Sequence, residues 1–199
     1  MPAEGSLKGD TVYVAAVDAD GNAASLIFSL YGVFGSCVTS AETGVVMQNR
    51  SAYFSLDPKH PNRLEPGKTP LHTLIASMAF KGERLWGVLG CMGADGQPQI
   101  HLQAYVAMID YGRDIQEAVG GPRWLSGRFA LGEARDTLHI EARYPKATID
   151  ELVRRGHPIN RWDDWNELAG HAHGITIDPQ TGLRAGGSDP RSDGAALGY

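Results

Sequence analysis

Few side chains in this sequence could do covalent chemistry. A hydroxyl or thiol attacks a carbonyl only with a base beside it, and no G-x-S-x-G elbow and no evident Cys-His pairing marks such a place. Cys37 and Cys91 lack the C-x-x-C spacing of a zinc site, and Cys91 is read as a small buried filler. His171-Ala-His173 would set two imidazoles on one face of a strand, but no third metal ligand is placed beside them, so core or rim histidines are the stronger reading. Thr11 is different. It follows a polar leader, residues 1–10, and opens a run of β-formers. Cleavage before such a residue frees an α-amine whose unperturbed pKa of about 7.7 to 8.0 lets it act as base for the same residue's side chain. Taken on its spacing alone, a strand-opening threonine is more often structural.

The elements that would hold these groups follow from periodicity. Residues 11–17 and 23–31 alternate, and Asp-Gly in the short link between them predicts a β-hairpin beginning at Thr11. Residues 44–48 read as a third short strand, and residues 51–70, with four prolines, as a long exposed loop. The apolar runs 71–80 and 85–89 suggest a second hairpin of buried strands, followed by a loop over 90–96. Pro98 suits a first helical turn, and Ile100, Leu102, Tyr105, Val106, Met108 and Ile109 recur at helical spacing up to Gly112. Further helices are expected over 114–119 and 148–155, and further strands over 129–131, 137–142 and 174–177. The class is α+β, an antiparallel sheet covered by helices. Trp162, Asp163, Asp164 and Trp165 read as a surface loop.

With 199 residues, 42% of them hydrophobic and 21% charged, the chain can bury a real core as one domain. A net charge of −5 without long like-charge blocks removes the electrostatic reason for nucleic-acid or anionic-membrane binding. A small-molecule or protein partner is favoured instead. Residues 1–10 do not have the pattern of a signal peptide, and the compartment stays open.

The stretch from Thr11 to Ala23 resembles the opening of the small subunit of γ-glutamyltransferases. Further blocks agree in order and spacing: Phe34-Gly35, Gly44 to Arg50, Phe54-Ser55, Pro66 to Pro70, the 90–96 loop, Ile109 to Gly112, Ala118 to Arg123, Ser188 to Asp193 and Gly198-Tyr199. The resemblance implies an N-terminal-nucleophile hydrolase, an αββα sandwich of which residues 11–199 form the small-subunit half. It further implies a large subunit as partner, cleavage of the Asp10-Thr11 bond, residues 1–10 as the remnant of the large subunit's end, and no metal or organic cofactor. A small subunit without that partner should leave one sheet face and a large apolar patch uncovered.

Carried over residue by residue, the resemblance makes Thr11 the nucleophile and puts Ser29 where the family has a threonine that hydrogen-bonds it. Gly93 and Ala94 fall on two consecutive glycines whose N–H groups form the oxyanion hole, a role expected of Ala94 only if its φ is negative. Tyr31, Arg50 and Tyr53 replace an asparagine, a glutamine and an aspartate that hold the γ-glutamyl group, and His72 and Thr73 replace paired serines. Loss of the aspartate removes the counter-charge for a substrate ammonium. These changes resemble the branch of γ-glutamyltransferase-like amidohydrolases and cephalosporin acylases, and Arg50 suggests an anionic acyl group. A surface salt bridge is the alternative for Arg50. Asp189-Pro-Arg191 resembles a family signature, its charges read as tying the tail to the sheet. Three readings stand: an acyl-transferring or amide-cleaving enzyme with a diverged pocket, a genuine γ-glutamyl transferase acting on glutathione-like small amides, and an inactive orphan subunit.

Overall fold

A computed structural model describes residues 9–127 and 135–199. The strand expected over 129–131 lies outside the described residues. The first hairpin joins β1 (Gly9–Val17) and β2 (Ala23–Gly32). It starts two residues earlier than expected: Gly9 and Asp10 pair with Gly32 and Tyr31, and the register shifts between Asp10 and Thr11. The bulge therefore falls on the peptide bond before Thr11.

Along β1 the alternation is strict. Thr11, Tyr13, Ala15 and Val17 point inward, whereas Val12 and Val14 point out and face Phe28 and Leu26 across the ladder. Each of those four outward side chains keeps about half its surface, so the hairpin carries the uncovered apolar face expected of it.

Next come β3 (Ala76–Lys81), β4 (Arg84–Met92), α1 (Gln97–Ile109) and α2 (Ile115–Gly120). Residues 44–48 are not a strand. Gly44 turns at φ +72°, and the segment folds back on residues 36–40 through ragged loop bonds such as Ser36 N–H to Met47 O at 2.8 Å. Residues 71–75 are extended but unpaired, and β3 is shorter and less buried than a core strand. In α1, Ile100, Ala104 and Met108 form the buried stripe, while Leu102 and Ile109 face outward despite their hydrophobicity. Asp114 caps α2 reciprocally with Glu117, a capping box.

The chain closes with β5 (Trp124–Ser126), β6 (Leu138–Glu141), α3 (Lys146–Arg154), β7 (Ile159–Trp162), β8 (His171–Ile177) and β9 (Arg184–Ser188). Strands β3-β4-β8-β9 make an antiparallel sheet, and β5-β6-β7 a smaller one whose β6-β7 pair is parallel. A parallel pair needs a crossover, which α3 provides. Trp162 belongs to β7 and is buried against His139, correcting its assignment to a surface loop.

The period of two in β4 sets the layering. Leu89 and Cys91 join Ile100, Ala104, Met108 and Ile115 in the core under α1 and α2. Gly90 faces the other way, and the ring of Tyr13 lies directly on it. Hairpin, sheet and helices thus stack as three layers.

The tail is fastened by buried charges. Asp189 meets Arg123 at 2.6 Å and Arg191 at 2.9 Å, Arg191 reaches Glu141 at 2.6 Å, and Glu141 also holds Arg143 at 2.8 Å. The expected structural role of Asp189 and Arg191 follows.

Candidate active site

Thr11 and Ser29 are direct partners in the β1-β2 ladder, which sets their side chains on one face. Thr11 donates its hydroxyl to Ser29 Oγ at 2.7 Å, and Ser29 Oγ also accepts the Tyr31 N–H at 2.9 Å. The bond holds the Thr11 hydroxyl in place beside its own backbone nitrogen.

Tyr31 sits across the bulge at φ +74°, a left-handed conformation unusual for a tyrosine and one that costs about 1–3 kcal/mol. Its ring meets two of the residues named from the sequence. The Arg50 guanidinium carbon lies 5.3 Å from its centroid, and the Tyr53 ring is 5.0 Å away. Both come from a 3₁₀ turn over Arg50–Tyr53. Asn49 ties that turn to the end of β2: its Oδ1 accepts the Gly32 N–H at 2.9 Å and its N–H reaches Leu30 O at 3.1 Å.

Arg50 is only 6% exposed, and it pairs with no carboxylate among the described residues. Its Nη1 donates to Thr73 Oγ1 at 2.7 Å. The surface salt bridge is thereby excluded. The guanidinium thus faces an aromatic ring and a neutral hydroxyl, with no counter-charge among the described residues. Two residues beyond Thr73, Gln97 Oε1 accepts the Ile75 N–H at 2.8 Å. His72 is exposed, and no hydrogen bond among the described residues joins it to this cluster.

Tyr53 donates its hydroxyl to Asp95 Oδ1 at 2.7 Å. Burial first, and the hydrogen bond to Asp95 second, push the Tyr53 phenol far above its ordinary range. Asp95 was not singled out from the sequence; the signal was its place, one residue beyond Ala94.

The turn over Gly93 and Ala94 begins where β4 ends at Met92, two residues into the loop expected at Gly90. Gly96 N–H bonds Gly93 O at 2.8 Å, and this tight entry into α1 forces Ala94 to φ +47°. The expected negative φ is therefore not found. That angle turns the chain after its own amide, so the Ala94 N–H is aimed by Gly93, whose ψ is 20°. Among the described residues neither the Gly93 nor the Ala94 N–H has a backbone acceptor. Behind the turn lies Gly170 at φ +79°, where a Cβ would stand 2.4 Å from Met92 O and 3.3 Å from Gly93 Cα. Arg123 braces it by donating to Gly170 O at 2.7 Å.

Cys91 and His101 do approach in space, 3.5 Å from sulfur to Nδ1, a pairing the ten-residue separation concealed. The pair is sealed in the core. Burial pushes the Cys91 thiol up to about 12 and pushes the His101 imidazole down, so neither ionises usefully. His171 and His173 are likewise depressed by burial, and no group of three or more metal-ligating side chains occurs among the described residues.

Residues 3–199 match the Gamma-glutamyltranspeptidase family. The chain is 45% identical over its whole length to the glutathione hydrolase-like YwrD proenzyme of Bacillus subtilis, spanning 38% of that protein. It is also 45% identical, over 96% of its length, to the oxamate amidohydrolase proenzyme of Klebsiella pneumoniae, spanning 36% of it. Among solved structures, cephalosporin acylase from Bacillus halodurans superposes with a TM-score of 0.82 at 39% identity, over 94% of this chain and 34% of that one. The chain therefore spans a little over a third of these curated relatives.

Proposed function

The chain belongs to the γ-glutamyltranspeptidase family, with the layered architecture of its N-terminal-nucleophile hydrolases, and from that premise we propose that it is the nucleophile-bearing part of an enzyme that cleaves or transfers the acyl group of small amides. The observation that carries this reading is the Thr11-Ser29 hydroxyl pair, 2.7 Å apart and joined through Tyr31 to a buried Arg50 that has no carboxylate partner among the described residues.

The chemistry runs through an acyl-threonine. Cleavage before Thr11 gives it a free α-amine, which takes the hydroxyl proton as Oγ1 attacks the amide carbon. The carbonyl oxygen becomes an oxyanion, for which the Gly93 N–H is the remaining candidate donor, because the positive φ of Ala94 fails the condition set for its own N–H. The proton passes to the leaving nitrogen as the C–N bond breaks. Water or an acceptor amine, deprotonated by the same α-amine, then attacks the ester and restores Thr11.

Arg50 selects the acyl group. It offers a cation where the γ-glutamyl pocket of the family has neutral glutamine, and Tyr53 offers a phenol where that pocket has a carboxylate, so a carboxylate-bearing acyl group without an amine is the substrate class. The uncovered face formed by Val12, Val14, Leu26 and Phe28 fits a large subunit as partner. The test is made with that partner present. Mass spectrometry should then find a new N-terminus at Thr11, and Thr11→Ala should abolish both cleavage and amidase activity. An N-terminus elsewhere would displace Thr11 as nucleophile.

A further inference from the structure

Tyr53 and Arg50 flank the same ring, that of Tyr31, and so both border the acyl site proposed above. They do not present the same kind of group to it. Arg50 carries only donors, one of which goes to Thr73. Tyr53 has a single proton, and that proton is committed to Asp95 Oδ1 at 2.7 Å. What remains on the phenolic oxygen is a lone pair. The direction of this bond is fixed by chemistry, because an ionised carboxylate can only accept.

We infer that Asp95 is a positioning residue for substrate selection: by taking the Tyr53 proton it makes Tyr53 a hydrogen-bond acceptor, and the pocket then prefers acyl groups that carry a neutral donor, such as a hydroxyl, beside the carboxylate held by Arg50. This rests on the acyl-pocket reading of Arg50 given above. An ammonium at the same position would also donate to Tyr53, but there the repulsion of the Arg50 guanidinium offsets the attraction of the Asp95 carboxylate. A hydroxyl gains the hydrogen bond without the repulsion. A bare methylene forgoes that hydrogen bond.

Without Asp95 the Tyr53 proton is released, and the phenol can turn to donate to the substrate carboxylate instead. The preference should then vanish. It should vanish equally in Tyr53→Phe, and adding Asp95→Ala to Tyr53→Phe should change nothing more, since Asp95 acts through Tyr53 alone. A residue that merely stabilised the turn would lower turnover of all substrates together and would leave their ratio intact.

The experiment compares kcat/KM for the 4-nitroanilides of glutarate and 2-hydroxyglutarate, attached through the carboxyl distal to the hydroxyl, using the processed enzyme that contains this chain with its large subunit. One hydrogen bond corresponds to roughly 3- to 10-fold in favour of the hydroxylated substrate, and the difference should reside in KM. Asp95→Ala, Tyr53→Phe and the double variant should each bring the ratio close to one. If Asp95→Ala fails to process, Tyr53→Phe reads the same ratio. A ratio of one in the unmodified enzyme, or a preference that survives in either single variant, overturns the inference. Arg50→Gln separates the two readings: if it weakens both substrates relative to a neutral butyryl anilide, the acyl pocket stands whatever happens at Asp95. If it leaves them unchanged, the pocket reading itself falls.

Discussion

The ring of Tyr13 rests on the bare α-carbon of Gly90, so close that a Cβ there would stand 2.1 Å from Tyr13 Cδ2. This contact is how the strand bearing Thr11 is seated on the sheet. Tyr13 is buried, its hydroxyl hydrogen-bonds Ser25 at 2.7 Å, and burial pushes the phenol up to about 12. Gly90→Ala should therefore lift the whole hairpin. Overpacking of this kind costs about 1–3 kcal/mol, which for a chain of this size lowers the melting temperature by about 2–4 °C per kcal/mol. Gly120→Ala is the control, since its nearest neighbour stands at 3.7 Å. Equal melting temperatures for the two variants would mean that Tyr13 is not wedged as described.

Ser29 accepts the hydroxyl of Thr11, the nucleophile proposed above. Ser29→Ala removes the acceptor for the Thr11 hydroxyl and for the Tyr31 N–H. We expect kcat to fall roughly 3- to 10-fold, the worth of one such bond, with slower cleavage before Thr11. Ser29→Thr keeps the oxygen and should retain most of the rate. A Ser29→Ala enzyme with unaltered kcat and cleavage would remove Ser29 from the machinery.

The elements with clear periodicity were legible in the sequence and the others were not, for physical reasons. The β1-β2 hairpin has β-formers and a turn dipeptide, and α1 has Pro98 at its start and a buried stripe. By contrast β9, Arg-Ala-Gly-Gly-Ser, contains no β-former at all; it is a strand because β8 offers it a ladder and Gly187 admits α2 at close range. Residues 44–48 show the reverse case, good β-formers whose pairing stops at a single antiparallel bridge, Thr39 to Val46. For the site, Thr11, Ser29, Tyr31, Arg50, Tyr53 and Thr73 were named in advance and come together. Asp95, Asn49 and Gly170 were not, because each acts through a contact between distant segments that one-dimensional spacing does not encode.

The buried charges set the acid limit of stability. Burial alone would raise the Asp189 pKa, but the guanidinium groups of Arg123 and Arg191 overcome it and hold the carboxyl below the usual carboxylate range. A carboxyl whose folded pKa is depressed stabilises the fold fully above its unfolded pKa of about 3.9, and that stabilisation is lost as the pH falls through the folded value. Asp189→Asn should thus cost about 3–5 kcal/mol at neutral pH, because Arg123 and Arg191 stay buried without this counter-charge. Urea unfolding at pH 7 and again below pH 4 checks it. The gap between variant and unmodified protein should narrow in acid, and a gap that widens would refute the linkage.

The pocket charge decides the substrate. A γ-glutamyl group presents an ammonium beside a carboxylate, and Arg50, buried and free of any carboxylate partner among the described residues, accepts the second and repels the first. A glutaryl group differs only in lacking that α-amine, so the two anilides isolate the effect of one charge. In the enzyme assembled with its large subunit, kcat/KM should favour glutaryl. The margin should be roughly 10-fold or more, given charge-assisted contacts of about 1.5–3 kcal/mol. Arg50→Gln removes the repulsion, and Tyr53→Asp places a carboxylate where the ammonium would lie. The double variant should therefore move the ratio back toward γ-glutamyl, chiefly through KM, because both changes act on groups bound equally in the ground and transition states. A strong preference of the unmodified enzyme for the γ-glutamyl compound would leave γ-glutamyl transfer as the better account of this pocket.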